Sequence, residues 1–162
     1  MNDAPFVVTP ISDVTFNEDE GPVTATTTLS SNFSDPDPGT TLIFSASSDN
    51  VNITATVNGN ALDVNAAANF SGTGNVLVTA SDGSLTVTDT VAVTVNAVND
   101  APVVANIPDV TFSEDGNTTV ALNDYVTDVD NLDSEISWAA EVLPLPAPSP
   151  KAASPAKLRP QI

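Results

Sequence analysis

The side chains able to do chemistry in this sequence are carboxylates and asparagine amides, and they fall in short recurring phrases. Asp35-Pro36-Asp37-Pro38-Gly39 has a partner in Asp128-Val129-Asp130, Glu18-Asp19 in Glu114-Asp115, and Asn2-Asp3 in Asn99-Asp100. Two acids spaced by two can project to the same side of an extended loop. Such a pair, with backbone oxygens, suits Ca²⁺, which takes six to eight hard oxygens, better than Mg²⁺, with its stricter geometry. The same phrase also serves as a polar turn whose Asp residues hold backbone N–H groups. Recurrence of the pair favours the calcium reading. Histidine and cysteine are both absent, which removes imidazole, thiolate and zinc chemistry together with Ser-His-Asp and Cys-His nucleophile pairs.

The charge balance narrows the partners. Against 21 Asp and Glu there are 3 Lys and Arg, namely Lys151, Lys157 and Arg159, so no cationic side chain precedes position 151. A surface without a positive patch cannot neutralise phosphates, which argues against nucleic acid and anionic lipid and for metal cations. Self-repulsion on this scale opposes a compact state unless bound ions offset it. No apolar run approaches the roughly 20 residues of a membrane helix, so direct membrane insertion is not expected of this stretch. Met1 leads straight into Asn-Asp-Ala-Pro with no basic and apolar signal segment, so export would have to be encoded elsewhere.

The elements that must position these acids are strands. Hydrophobic residues make up 41 % of the chain, and Val, Ala, Leu and Ile alternate with Thr, Asn and Ser, as in half-buried pleated strands. Asn2-Asp3-Ala4-Pro5 returns 97 residues on as Asn99-Asp100-Ala101-Pro102, and Asp13-Val14-Thr15-Phe16 returns 96 residues on as Asp109-Val110-Thr111-Phe112. Asn58-Gly59 signals a type I′ hairpin that sets Ile53 opposite Val64 and Ala55 opposite Leu62. Folding about Asp82-Gly83 sets Val78 opposite Val87 and Ala80 opposite Leu85. Further strands are expected over Val7–Phe16, broken by Pro10, over Val23–Leu29, over Leu42–Ala46 and through Val91, Val93 and Val95. About seven short strands predict an all-β, seven-stranded Greek-key β-sandwich for residues 1–98. Phe16, Phe33, Phe44 and Phe70 read as core, and Thr24, Thr26 and Thr28 as a solvated outer face.

Residues 99–143 read as the start of a second, incomplete repeat. Its strand pattern runs through Val120, Leu122, Ile136 and Trp138 and then stops, too few strands to close a sandwich, so this part is expected to pack poorly. Residues 144–162 turn Pro-, Ala- and Ser-rich and read as a disordered or polyproline-like tail.

These phrases carry a family resemblance. Val98-Asn99-Asp100-Ala101-Pro102 resembles the cadherin inter-repeat linker, Asp128-Val129-Asp130 its paired-aspartate motif, Glu18 its early glutamate, and Ala80-Ser81-Asp82-Gly83 its late aspartate turn. With Ala68-Asn69-Phe70-Ser71-Gly72-Thr73, the whole is most similar to bacterial cadherin-like and immunoglobulin-like tandem repeats of large surface proteins, over residues 1 to about 140. The resemblance implies a Ca²⁺ site between repeats, formed by Glu18, Asn99, Asp100, Asp128 and Asp130. It implies a matching half-site at the chain start, formed by Asn2, Asp3, Asp35, Asp37 and Asp82. The sequence departs from the cadherin pattern at Ala66-Ala67-Ala68-Asn69, which lacks the mid-repeat acid, and at Ala97, where the linker has an Asp. Fewer anionic ligands imply sub-millimolar to millimolar affinity, as in extracellular modules.

By this reading the protein is a non-enzymatic calcium-binding structural or adhesion module, extracellular or at the cell surface. Its partners would be adjacent repeats of the same protein and other cell-surface proteins or polysaccharide. The alternatives are a carbohydrate-binding module, against which 5 % aromatic content counts, and an inert spacer. Two carboxylates can run glycoside hydrolysis, but a thin sandwich offers them little cleft. A Lys-Asn isopeptide crosslink is excluded by the absence of Lys before position 151.

Overall fold

The computed structural model describes residues 1–111 and 113–141, and they form two compact units. The first comprises Met1–Pro102 with Asp128–Asp130, and the second Val103–Thr127 with residues from Asn131 on. The expected tail at 144–162 lies outside the described residues.

In the first unit β1 is Phe6–Val7, β2 Val14–Asn17, β3 Val23–Thr26, α1 Leu29–Asn32, β4 Phe33–Ser34, β5 Ile43–Ser48, β6 Ile53–Asn58, β7 Ala61–Ala66, β8 Gly72–Ser81 and β9 Thr86–Asn96. They make a four-stranded sheet, β2-β9-β8-β5, a three-stranded sheet, β3-β7-β6, and a short β1-β4 pair. The chain passes repeatedly between the two larger sheets, and their inward faces share one core. Period-two alternation decides which residues enter it. On β8 and β9 that means Val76, Val78, Ala80, Val91, Val93 and Val95, and from the other sheet Ile53, Leu62 and Val64. Each fully buried Val, Leu or Ile stabilises the unit by about 1.5–3 kcal/mol relative to exposure. Phe16 and Phe33 are buried, while Phe44 and Phe70 pack against the core from its margin.

Pro10 does separate two strands, and they join different sheets. β1 pairs with β4, whereas β2 runs parallel to β9, with Val14 beside Val93 and Asn17 beside Asn96. Asp side chains stitch the crossing in place: Ile11 N donates to Asp89 Oδ2 at 2.7 Å and Ala92 N to Asp13 Oδ1 at 2.9 Å.

Three expectations are corrected. Both hairpins sit two residues away from the predicted register, with Ala55 opposite Val64 and Val57 opposite Leu62, and with Ala80 opposite Val87. In the first, Asn58 pairs with Ala61, so Gly59-Asn60 is the turn. Gly59 alone takes a positive φ, +63°, as the first central residue of a type II′ turn does. Asn60 is held by the neighbouring segment: its O and Oδ1 accept from Leu29 N at 2.9 Å and Ser30 N at 2.7 Å. In the second, Asp82 opens a four-residue loop by accepting from Ser84 N and Leu85 N at 2.6 and 2.7 Å. A shift of two preserves inward and outward faces, so the apolar pattern survives it. Finally, the strand expected over Val23–Leu29 ends at Thr26; Leu29, fully buried, lies in the helical turn α1.

In the second unit β10, Val103–Val104, pairs with β11, Val126–Thr127, after a 3₁₀ turn at Leu122–Tyr125. Ile136 and Trp138 lie in no strand. The local geometry repeats that of the first unit. Val103 and Val104 face Thr127 and Val126 as Phe6 and Val7 face Ser34 and Phe33. Ala105 N donates to Tyr125 O at 2.7 Å, as Val8 N does to Asn32 O at 2.8 Å. Asp115, like Asp19, has positive φ, 62° against 59°. Val126 is buried, while Val103, Val104 and Leu132 are exposed.

Candidate metal centre

Where β2 ends, Glu18 continues the pairing with β9: its N–H donates to Asn96 O at 3.0 Å. Its side chain is 4 % exposed, and Oε1 accepts from Val98 N at 2.7 Å, so the carboxylate clamps the start of the 97–102 segment. That segment brings Asp100 to the same end, where Asp100 N donates to Asp130 Oδ2 at 2.6 Å and Asp130 N to Asp128 Oδ1 at 2.9 Å. Asp19, in the left-handed conformation, accepts from Asn69 N at 3.0 Å. With the Asn69 amide turned so that its nitrogen faces the acids, it lies 3.2 Å from both Asp19 Oδ2 and Asp100 Oδ2 and ties them together.

Glu18, Asp19, Asp100, Asp128 and Asp130 therefore gather at one end of the first unit. The Asp100 carboxyl is pushed above its ordinary value by loss of water contact and then by the charges of Asp130, Asp19, Glu18 and Asp128. Among the described residues no three acidic side chains are already closed around one point. The donors are all hard oxygens, the chemistry a Ca²⁺ or similar cation requires.

Of the five residues predicted for this end, the structure brings Glu18, Asp100, Asp128 and Asp130 together. Asn99 is adjacent in sequence, but its amide nitrogen donates to Asp100 O at 2.8 Å. Sequence reasoning missed Asp19 and Asn69. The signal for Asp19 was present in the recurrence of Glu-Asp; Asn69 reaches the cluster only through a left-handed turn at φ 55° before β8.

The predicted N-terminal set forms one pair and one chain of three in the first unit. Asn2 Nδ2 donates to Asp82 Oδ2 at 2.9 Å. Asp3 N donates to Asp37 Oδ2 at 2.8 Å and Asp37 N to Asp35 Oδ1 at 2.8 Å, the same two bonds that Asp100, Asp130 and Asp128 make. Asp35 Oδ2 is buried and makes no hydrogen bond among the described residues. The Asp82 carboxyl is held below its ordinary value by the N–H groups of Leu85 and Ser84 and by Asn2.

Residues 2–96 match the family model described as bacterial Ig domain. This chain belongs to the bacterial Ig domain family. The two-sheet core of the first unit is the body of that Ig domain, and the matched stretch ends just before the Val98–Asp100 segment. No curated protein matches the sequence significantly. Among solved structures, the Ig domain is similar to part of an endo-fucoidan hydrolase of glycoside hydrolase family 107, with 20 % identity and TM-score 0.46, over 62 % of this chain and 16 % of that one. It is also similar to the titin domains Z1Z2 in complex with telethonin, with 16 % identity and TM-score 0.38, over 65 % of this chain and 54 % of that one. The chain thus spans about a sixth of the hydrolase and about half of the titin fragment.

Proposed function

We propose that this Ig domain is a non-catalytic structural unit of a repetitive extracellular or surface protein, and that Ca²⁺ stiffens the end at which Glu18, Asp19, Asp100, Asp128 and Asp130 meet. The observation that carries the reading is that gathering itself: five carboxylates at one end, the Asp100 carboxyl raised by its neighbours, in a sequence with no cationic side chain before Lys151. Residues 99–130 repeat the Asp3–Asp37–Asp35 bonds and the Val8–Asn32 bond of residues 2–37, which supports a following repeat that begins as the first does. Glu18 and Asp19 belong to the body of the domain, Asp100 to the connecting segment and Asp128 and Asp130 to the repeated motif. A cation bound to all of them gains its full binding energy only when the three are correctly placed. Cell-surface proteins or polysaccharide are the partners such a rod would present itself to.

A sugar-binding role has less support. The polar hollow lined by Asp49, Asn50, Thr73, Asn75 and Thr94 contains no aromatic ring on which a sugar could stack, and of the two rings in the hollow beside Asp35 and Asp37, Phe33 is buried and Phe44 packs against the core.

Calorimetry and thermal melting of the full chain with CaCl₂ test the proposal. At ten times the dissociation constant a single ion stabilises by ~1.4 kcal/mol, a rise of about 5–10 °C in melting temperature for a domain of this size. MgCl₂ at equal concentration should give a smaller rise, and Asp130→Asn should abolish most of it. Neither heat nor a melting shift with Ca²⁺ would remove the calcium reading and leave a plain spacer.

A further inference from the structure

Three dipeptides in the described residues have the chemistry of succinimide formation: Asn58-Gly59, Asp82-Gly83 and Asp115-Gly116. In each, attack by the glycine nitrogen on the preceding side-chain carbonyl carbon is unhindered by a Cβ, and in each that nitrogen must be free to react. The fold separates them by this criterion. Gly83 N donates to Ser81 Oγ at 3.1 Å. Gly116 N donates to Ser113 O at 2.9 Å. Gly59 lies in the two-residue turn outside the Asn58–Ala61 pair, and its N–H makes no hydrogen bond among the described residues. Asn58 and Gly59 are exposed at the tip of a hairpin whose β6 strand is a sheet edge, and no atom lies within 4 Å of where a Gly59 Cβ would be. Asn58 is also the only asparagine in the sequence followed by glycine.

We propose that Asn58 is a site of spontaneous backbone modification, independent of any cation the domain binds. The deprotonated Gly59 nitrogen bonds to Asn58 Cγ, the Cγ–Nδ2 bond breaks, and the departing Nδ2 group takes up one proton through water, equal to the one lost from Gly59 N, and leaves as ammonia. Water then opens the ring at either carbonyl, giving Asp or isoaspartate at position 58. The site couples this chemistry to the fold, because Asn58 Nδ2 donates to Asp63 Oδ2 at 2.7 Å. Conversion replaces that donor by a second carboxylate facing Asp63, and the isoaspartyl form lengthens the backbone of a turn that tolerates only two residues.

The test incubates the full chain at mildly alkaline pH, folded and in urea, and follows the separated fragments that contain Asn58, Asp82 and Asp115 by mass spectrometry, with isoaspartyl methylation of each fragment as the readout where conversion leaves the mass unchanged. An engaged glycine N–H must first surrender its hydrogen bond, which slows reaction about fivefold. Expected is a folded rate at Asn58 within about twofold of the unfolded rate, against at least that fivefold protection at Asp82 and Asp115. Asn58→Gln should suppress the product at 58 alone. An Asn58 that survives in the folded chain while the unfolded chain converts, or protection at 58 equal to that at the two Asp-Gly sites, overturns the proposal.

Discussion

Glu18→Ala tests how firmly the connecting segment is fastened to the domain. Glu18 is almost wholly buried, and its Oε1 receives Val98 N at 2.7 Å. A hydrogen bond to a charged group contributes about 1.5–3 kcal/mol. Val98 is 45 % exposed, so water takes over its N–H in the variant and the loss falls at the low end. Removing a buried methylene adds ~0.8 kcal/mol. The sum, about 2–3 kcal/mol, lowers the melting temperature of a domain of this size by about 10–20 °C. Glu18→Gln keeps the methylenes and an accepting oxygen, loses the charge assistance, about half the bond, and relieves the repulsion with Asp100, so its fall should be at most about 5 °C. Far-UV circular dichroism in chelator is the appropriate assay, since the strands of the first unit dominate its signal and Trp138 lies in the second unit. Both variants melting within about 2 °C of the parent, or Gln melting as low as Ala, would refute the clamp.

Acid titration should show two opposed effects. The raised Asp100 carboxyl makes the folded state bind its proton more tightly than the unfolded state, with its ordinary value of 3.8. Its contribution is therefore most favourable below that value and is lost as pH rises through the raised one; Asp100→Asn should flatten this loss in urea melts run from pH 4 to 7. Asp49, held by Asn75, Asp63, held by Thr24 and Asn58, and Asp82 are lowered, so they stabilise above 3.8 and lose that effect as pH falls further. Gly74→Ala should destabilise by about 1–3 kcal/mol, as overpacking does, because an added Cβ would sit 2.9 Å from Asn50 Cβ and from Ile53 Cδ1; thermal melting reads the loss, and an unchanged midpoint would show that the β5–β6 loop yields freely.

Much of the fold was legible because alternation fixes which side a residue faces. Val76, Val78, Val91 and Val93 enter the core in any register that preserves parity, so a hairpin misplaced by two residues still buries the right side chains. The register itself depended on Asn60, whose backbone and side chain hold Leu29 and Ser30 thirty residues away, and no local pattern announces such a contact. Leu29 looked like a strand residue for the same reason: apolarity predicts burial, not the helical turn that delivers it. The parallel pairing of β2 with β9 was equally hidden, since it joins residues nearly eighty positions apart. In the acidic end, repetition pointed to Glu18, Asp100, Asp128 and Asp130, whereas Asn69 lacks the charge that makes a ligand conspicuous and depends on backbone conformation for its place.

That parallel pairing also governs how the domain would respond to being stretched. A pull applied at the chain start, once β1 has parted from β4, enters β2 ahead of Val14, and a pull on the connecting segment leaves β9 beyond Asn96. Because the two strands run the same way, the opposed forces act along them, and the rungs from Val14–Val93 to Asn17–Asn96 are loaded together. The bonds from Ile11 N to Asp89 and from Ala92 N to Asp13 share that load. The domain is thus built to resist tension as a block, where a hairpin pulled at its open end would peel one rung at a time.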